Sequence, residues 1–182
     1  MRITKKTYHA CYYQIEGCNE WAVVGKRLHG IGRACFDVYK NDELQYTLKQ
    51  PSLVASIIAK APFIMFVYES PFFFYRCGVK CGNWKPIIHP ALHPGKWEFF
   101  FDGVIYQVAS GPYVSFREAF GEDNLHIQKD TLFMNGEMMA TYVRNANADG
   151  YSIECYLAES AIRLDILLLF GAFIENYLDR DR

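Results

Sequence analysis

The sequence has 182 residues, of which 51% are hydrophobic, so it is long enough and apolar enough for one domain with a single core. Its 19 basic and 20 acidic residues leave a net charge of −1, which excludes the overall positive charge typical of a nucleic-acid binder. No linker or low-complexity tract divides the chain, and we expect one domain spanning residues 1–182.

The start of the chain is basic, but no apolar run of signal-peptide length follows it. The six cysteines are scattered, and Cys11, Cys35 and Cys155 fall in apolar runs typical of strands. Buried, reduced thiols are the simplest interpretation, since disulfide frameworks belong mainly to shorter secreted chains. We therefore expect a cytoplasmic protein without disulfides, either free or peripheral to a membrane.

Aromatic residues make up 16% of the chain, which favours pleated, half-buried β structure. Short β-prone runs alternate with turn residues, and Asp102-Gly103 and Asn135-Gly136 are typical of two-residue turns between antiparallel strands. A third polar turn covers residues 40–43. The predicted strands are 34–39, 44–48, 62–69, 72–76, 97–101, 104–108, 131–134, 137–143 and 151–157. Consecutive hairpins of this kind build a meander or a barrel.

The chain changes character near its C-terminal end. Residues 158–178 are compatible with a helix, and between Leu164 and Ile174 only Asp165 is charged. A helix that is apolar on nearly every face must be buried all round. The apolar run is about half of the roughly 20 residues that a membrane span needs, so we expect it inside the protein, with residues 162–174 almost free of solvent. Asp165 is then an early-turn charge that complements the helix dipole, in preference to a buried group with a partner.

Two segments fit no simple hairpin. Residues 52–60 form an apolar run that could be a short helix or a buried strand, because periodicity does not separate the two in so short a run. Residues 78–95 contain Pro86, Pro90 and Pro94 together with three glycines, which predicts a long loop rather than a central strand.

The order of parts, consecutive hairpins followed by a terminal apolar helix, resembles the tubby-like C-terminal fold, and more closely its LURP-one-related branch, which is related to phospholipid scramblases. The residues that carry the resemblance are the strand-turn-strand unit 36–46, the strand 151–157, and the helical segments 165–169 and 174–176. The resemblance implies a closed antiparallel barrel around one helix. No acidic loop matches a scramblase calcium site, so lipid scrambling is not implied.

Arg76, Lys80 and Lys85 surround Trp84 in the middle of the chain. Cations next to a tryptophan suit an anionic phospholipid headgroup at a membrane surface, where tryptophan prefers the interface. By the resemblance, tubby proteins bind phosphoinositides through cationic residues of the barrel. These four residues are therefore the candidate headgroup-binding site, with a solvated rim of charges as the alternative.

Cys77 and Cys81, followed by His89 and His93, form a second constellation. Two thiolates and two imidazoles can bind zinc in a tetrahedral site, although the two pairs stand close together and prolines flank the histidines. The alternative to the headgroup site is thus a zinc- or small-molecule-binding module built on residues 77–93. The leading interpretation assigns neither a metal nor a cofactor.

No catalytic constellation stands out in the sequence. A nucleophile elbow, a phosphate-binding loop and a dinucleotide fingerprint are lacking, and His9, His29 and His126 are isolated. We therefore expect a non-enzymatic, mainly β protein, an antiparallel β-barrel of consecutive hairpins enclosing one apolar C-terminal α-helix. Its expected ligand is a phospholipid headgroup or a protein partner at the membrane surface, and no nucleic acid.

Overall fold

The computed structural model describes residues 1–7, 11–27, 34–50, 72–88, 96–109, 129–144, 150–156 and 163–175. Within these residues the chain forms twelve strands and one α-helix. The strands are β1 (Arg2–Thr7), β2 (Cys11–Ile15), β3 (Cys18–Arg27), β4 (Ala34–Lys40), β5 (Glu43–Lys49), β6 (Phe73–Arg76), β7 (Val79–Ile88), β8 (Lys96–Phe101), β9 (Val104–Ala109), β10 (Lys129–Met134), β11 (Glu137–Arg144) and β12 (Gly150–Cys155). The helix, α1, spans Leu164–Phe173.

The twelve strands form one closed antiparallel barrel in which each strand pairs with its neighbours in the sequence. The ring is completed by β1 and β12, where Ile3 is opposite Tyr151. Closure pairs the two strands that would otherwise be the edges of the sheet. The mainly β barrel of consecutive hairpins predicted from the sequence is therefore confirmed.

Within the described chain, five pairs of strands are joined by two-residue turns. The predicted turn residues adopt the positive φ values that such hairpins require: 50° at Asn135, 87° at Gly136, 52° at Asp102 and 77° at Gly103. The hairpins predicted at these two pairs and around residues 40–43 are confirmed. The five turns are Glu16-Gly17, Asn41-Asp42, Cys77-Gly78, Asp102-Gly103 and Asn135-Gly136.

All five turns lie at the same end of the barrel, which we call the turn end. Successive strands alternate in direction, and the turns follow β2, β4, β6, β8 and β10, which are the even-numbered strands before the last. Arg163, which directly precedes α1, lies 3.7 Å from Asp102 of one of these turns, so α1 begins at this end. The N-terminus of the helix and all five tight turns therefore share one end of the molecule.

Helix α1 lies inside the barrel. Phe173 packs against Phe36 of β4 with ring centroids 6.1 Å apart, and Phe170 packs against Phe99 of β8 at 4.9 Å. From β11, the Tyr142 hydroxyl donates a hydrogen bond to the Leu167 carbonyl at 2.8 Å. These contacts come from widely separated parts of the wall. The apolar side chains of the helix are fully buried from Ile166 to Phe173, whereas Leu164 is partly buried. Each large one contributes about 1.5–3 kcal/mol on burial. The predicted enclosure is confirmed for residues 165–174, whereas Arg163 and Leu164, at the start of the predicted span 162–174, are partly exposed and residue 162 lies outside the described residues.

Gly171 explains how the barrel closes tightly around the helix. A Cβ atom at this position would lie 2.3 Å from Cδ1 of Ile3 on β1 and 3.2 Å from Cε1 of Tyr142 on β11. Glycine is a weak helix former, but here it allows the two strands to approach the helix backbone. The only weak helix former in the apolar run is thus a requirement of packing.

The helix differs in two respects from the predicted segment 158–178. Arg163 has extended backbone angles, φ −95° and ψ 95°, so α1 begins at Leu164; residues 157–162 and 176–182 lie outside the described residues. Asp165 lies in the first turn, as expected, but only 4% of its surface is exposed and its carboxylate has partners. The preference for an early-turn charge over a buried, paired group was therefore wrong, because Asp165 is both.

The loop predicted at residues 78–95 is wrong for its first part, where Val79–Ile88 forms strand β7. Strand β6 pairs with β7 only as far as Asn83, whereas β8 pairs with β7 beyond Pro86, where the register shifts. Pro86 has no N–H to donate, but in the described structure it lies where β7 has a neighbour on one side only. A proline is therefore tolerated at this position of the strand.

Strands β1, β2 and β3 are absent from the predicted set, although the apolar run at Cys11 in β2 is typical of a strand. The apolar pattern is weakest in β1. In β1, whose sequence is RITKKT, Ile3 is the only apolar side chain, and it is fully buried. The remaining segments at issue, residues 52–60 and the predicted strand 62–69, lie outside the described residues.

Candidate interaction surface at the turn end

The turn end carries all of the large apolar residues that are exposed among the side chains that the structure describes. Val79, which directly follows the Cys77-Gly78 turn, is 69% exposed, and Leu44, two residues after another turn, is 55% exposed. This set, which we call the apolar rim, comprises Met1, Leu44, Val79, Phe100, Ile105, Met138 and Tyr156. They form a ring around this end of the barrel, in which Phe100 and Ile105 are direct neighbours on paired strands. Exposed apolar groups gathered at one end of a molecule mark a candidate interaction site.

Four exposed carboxylates lie among the residues of the apolar rim. They belong to Glu16, Asp42, Glu43 and Glu137, which lie within the tight turns or directly after them. We call them the rim carboxylates, and within the described structure none forms an ion pair or a side-chain hydrogen bond. Partial burial, with the charge of Asp42 as a second cause, raises the pKa of Tyr12.

The cations of the turn end are more often neutralised. Lys40 Nζ lies 3.0 Å from Oε1 of Glu20 and 5.2 Å from the ring centroid of Trp21. Lys80, in contrast, has its ammonium 3.5 Å from the ring centroid of Phe73 and no carboxylate partner in the described structure. Positive charge at this end is therefore largely compensated within the chain.

A chain of ion pairs and hydrogen bonds, which we call the mouth network, closes the centre of the turn end. Arg163 donates from Nη2 and Nε to the Asp165 carboxylate at 2.6 and 3.2 Å, and the Tyr46 hydroxyl donates to the same carboxylate at 2.9 Å. Oδ2 of Asp102 accepts a hydrogen bond from Arg76 at 3.0 Å and lies 3.7 Å from Nη1 of Arg163. The network thus links α1 to two turns and to the inner wall.

Burial controls the titration of the tyrosines around this network. Burial, with the nearby charge of Asp165 as a second cause, raises the pKa of Tyr46 well above its ordinary value. The hydrogen bond to Asp165 raises the pKa of Arg163. The Tyr106 hydroxyl is buried near Arg163, and burial raises the pKa of Tyr106 as well. The phenols therefore stay neutral and the charges are paired. Both features are expected of a network whose role is to close this end of the barrel interior.

The four predicted headgroup residues are spread along one hairpin. Arg76 ends β6 and Lys80 lies near the start of β7, on either side of the Cys77-Gly78 turn, and both are exposed. Trp84 and Lys85 lie further along β7, where it pairs with β8. Neighbouring positions of a strand belong to opposite faces of a sheet. The structure therefore brings Arg76 and Lys80 together at the turn end and places the other two further along the wall.

The predicted zinc constellation is described only in part. Cys77 is exposed in its turn and Cys81 is half-buried in β7, while His89 and His93 lie outside the described residues. Across the described ranges, no group of three or more His, Cys, Asp and Glu side chains is placed to hold a metal ion. All six cysteines are free and none is fully buried, which corrects the expectation of buried thiols.

A separate polar cluster surrounds Asp37 on the outer side of β4. Its carboxylate accepts hydrogen bonds from Lys26 at 2.5 Å and from Thr47 at 2.7 Å, and Sγ of Cys35 lies 3.7 Å away. Burial, together with the charge of Asp37, raises the pKa of Cys35 to about 11. This thiol therefore remains protonated at neutral pH and is a poor nucleophile.

None of the residues of the apolar rim is among the site residues predicted from the sequence. The sequence carries only a weak signal for them. Four residues of the rim lie two positions from a tight turn: Leu44, Phe100, Ile105 and Met138. An apolar residue at this spacing from several turn dipeptides would indicate the rim, once the turns are known to share one end.

Comparison with family models, with curated proteins and with solved structures finds no match to this chain. None of the helices formed by the described residues is long and apolar enough to cross a membrane.

Proposed function

We propose that this chain is a non-catalytic, tubby-like barrel that binds a protein partner through its turn end. The observation that carries the proposal is the apolar rim, because it includes every large apolar residue found exposed among the side chains that the structure describes. Protein interfaces combine an apolar centre with a polar surround, and the rim carboxylates provide polar groups beside the apolar ones. The mouth network forms the floor between them.

The filled interior supports binding at the surface rather than inside the barrel. Barrels that hold a small ligand do so in an internal cavity. Here α1 occupies the interior, and Phe99, Phe101 and Phe170 are fully buried around it. A ligand therefore binds on the outer surface, where the side chains of the apolar rim are exposed.

Site-specific photo-crosslinking tests the proposal. A photoreactive amino acid at Val79, on the turn end, is compared with one at Asn83, which is also exposed but lies further along the same strand. We expect a discrete protein adduct from position 79 and not from position 83, and loss of the adduct in a Leu44→Ser, Met138→Ser double variant. Equal adducts from both positions, or adducts that survive the double variant, would refute binding at the turn end.

An anionic phospholipid headgroup is the other ligand that the sequence suggests. Lys80 favours it, because this cation has no carboxylate partner in the described structure and lies next to the exposed Val79. The rim carboxylates oppose it, since like charges repel at an anionic surface. Co-sedimentation with anionic and neutral vesicles separates the two ligands. Binding to anionic vesicles alone, lost in Lys80→Glu but kept in Lys49→Glu, would assign lipid instead; Lys49 is a matched control because it too packs on an aromatic ring.

A further inference from the structure

The Asn135-Gly136 turn presents a side-chain amide directly before a glycine. Both residues are exposed, and their φ values are 50° and 87°. Apart from its chain neighbours, no atom lies within 4 Å of the place that a Cβ of Gly136 would take. Water therefore has free access to this dipeptide, and no side chain hinders the Gly136 nitrogen.

A backbone amide of the neighbouring strand points at the Asn135 side chain. The Ile105 N–H donates a hydrogen bond to Oδ1 of Asn135 at 3.1 Å, and the Asn135 N–H donates to the Ile105 carbonyl at 2.7 Å. The side-chain atom that faces Ile105 must be the amide oxygen, because the donor is an N–H. A backbone N–H about 2.7–3.1 Å from a carbonyl oxygen stabilises the negative charge that develops there when the carbonyl carbon is attacked.

We propose that Asn135 is a site of spontaneous deamidation. The Gly136 backbone nitrogen bonds to Cγ of Asn135, and the charge that collects on Oδ1 is stabilised by the Ile105 N–H. The side-chain nitrogen takes the proton that the Gly136 nitrogen gives up and leaves as ammonia. Water then opens the cyclic imide at either of its carbonyl carbons, and aspartate or isoaspartate remains. The only co-reactant is water.

The inference is independent of the proposed function, since the reaction needs only the turn and water. Its product bears on the same end of the molecule, however, because a carboxylate replaces a neutral amide beside Ile105, a residue of the apolar rim. Isoaspartate also adds a methylene to the backbone of a two-residue turn, whose positive φ values fit the ordinary backbone. Deamidation therefore changes both the charge and the shape of this turn.

Asn41 provides a matched comparison within the chain. It too is exposed in a two-residue turn, with φ 48°, but Asp42 follows it instead of glycine. Its backbone N–H donates to the Glu20 carbonyl at 2.8 Å, whereas its side chain has no hydrogen-bond partner in the described structure. The variant Asp42→Gly creates a second Asn-Gly turn, which the φ of 65° at this position favours. This second turn lacks a donor to the amide oxygen.

The test incubates the full chain in mildly alkaline buffer and follows each asparagine by peptide mass spectrometry. An unstructured peptide with the sequence of residues 132–139 sets the time scale. We expect Asn135 to be converted within the time that the peptide needs, while Asn41 stays intact in the parent chain. In Asp42→Gly, position 41 should react as well, but about tenfold more slowly than position 135, because no N–H stabilises its oxyanion.

Two results would overturn the inference. If Asn135 is intact when the peptide has been converted, or if Asn41 reacts before it in the parent chain, Asn135 is not the proposed site. Equal rates at positions 41 and 135 in Asp42→Gly would show that the Ile105 N–H does not assist the reaction. Failure of the proposed function is read separately, from the Val79 crosslink.

Discussion

The Asp165 carboxylate is buried at the mouth of the barrel and accepts hydrogen bonds from two residues of different elements. Replacing Tyr46 with Phe keeps the ring and removes only the hydroxyl that donates to this carboxylate at 2.9 Å. Tyr46 is itself buried, so no water can reach the vacated place without entering the core. Asp165 then retains only the Arg163 guanidinium as a partner among the bonds described here.

A hydrogen bond to a charged group contributes about 1.5–3 kcal/mol, and the free energy of unfolding should fall by that amount in Tyr46→Phe. Arg163→Met should cost more, about 3–5 kcal/mol, because it leaves a buried carboxylate without its counter-ion. The ranking of the two variants follows from the geometry, since Arg163 supplies two of the three bonds and all of the positive charge.

Urea denaturation followed by circular dichroism measures both losses as shifts of the midpoint at constant slope. Tyr75→Phe is the control, because Tyr75 is half-buried on the outer face of β6 and its ring packs under Lys49 instead of bonding to a carboxylate. A Tyr46→Phe loss no larger than that of Tyr75→Phe would show that the hydroxyl adds nothing to the mouth network. The reasoning about Asp165 would then be wrong.

Four further outcomes follow from described contacts. Leu168→Asp should abolish folding, because the side chain is fully buried inside the barrel; a soluble variant with a cooperative melting transition would contradict this. Gly82→Ala should cost about 1–3 kcal/mol, because its Cβ would lie 2.4 Å from the backbone oxygen of Phe100, and an unchanged urea midpoint would count against the close approach. The pKa of Cys35 rises from 9.0 to about 11 on folding, so the folded state holds this proton more tightly. Its contribution to stability is full below pH 9 and is lost as the pH rises toward 11, which urea midpoints across that range should show as a fall that is smaller in Cys35→Ala. Cys77, exposed in its turn, should be alkylated by iodoacetamide before Cys35, as peptide mass spectrometry would reveal, and the reverse order would refute the assigned environments.

The strands next to strong turn dipeptides could be predicted from the sequence, because the turn chemistry is local. Asn135-Gly136 and Asp102-Gly103 favour positive φ intrinsically, and their hairpins follow. The Cys77-Gly78 turn has the same geometry, with Cys77 at φ 49°. Cysteine does not favour a left-handed conformation, so the sequence does not predict this turn. Strand β7 could not be predicted, because the turn before it has no favourable dipeptide. In addition, Pro86 argues against a strand unless the neighbouring strand is known to end early.

The candidate surface could not be predicted, because it is assembled by topology rather than by sequence proximity. Leu44, Phe100 and Met138 are far apart in the chain and unremarkable singly. They meet at one end only because tight turns follow every second strand of a closed meander. Asp165 was visible as a charge in an apolar helix, but its partner Tyr46 lies in a distant strand and no local pattern connects the two.

Helix α1 follows all twelve strands in chain order, although it forms the centre of the core. During synthesis, the aromatic inner wall that includes Trp97 and Phe99 therefore leaves the ribosome before the segment that will cover it. The pairing of β1 with β12 must also wait until nearly the whole described chain has been made. Such long-range pairing is slow, and the uncovered wall is prone to aggregate in the meantime. We expect the nascent chain to depend on chaperones until α1 emerges, and the barrel to form in one late step rather than strand by strand.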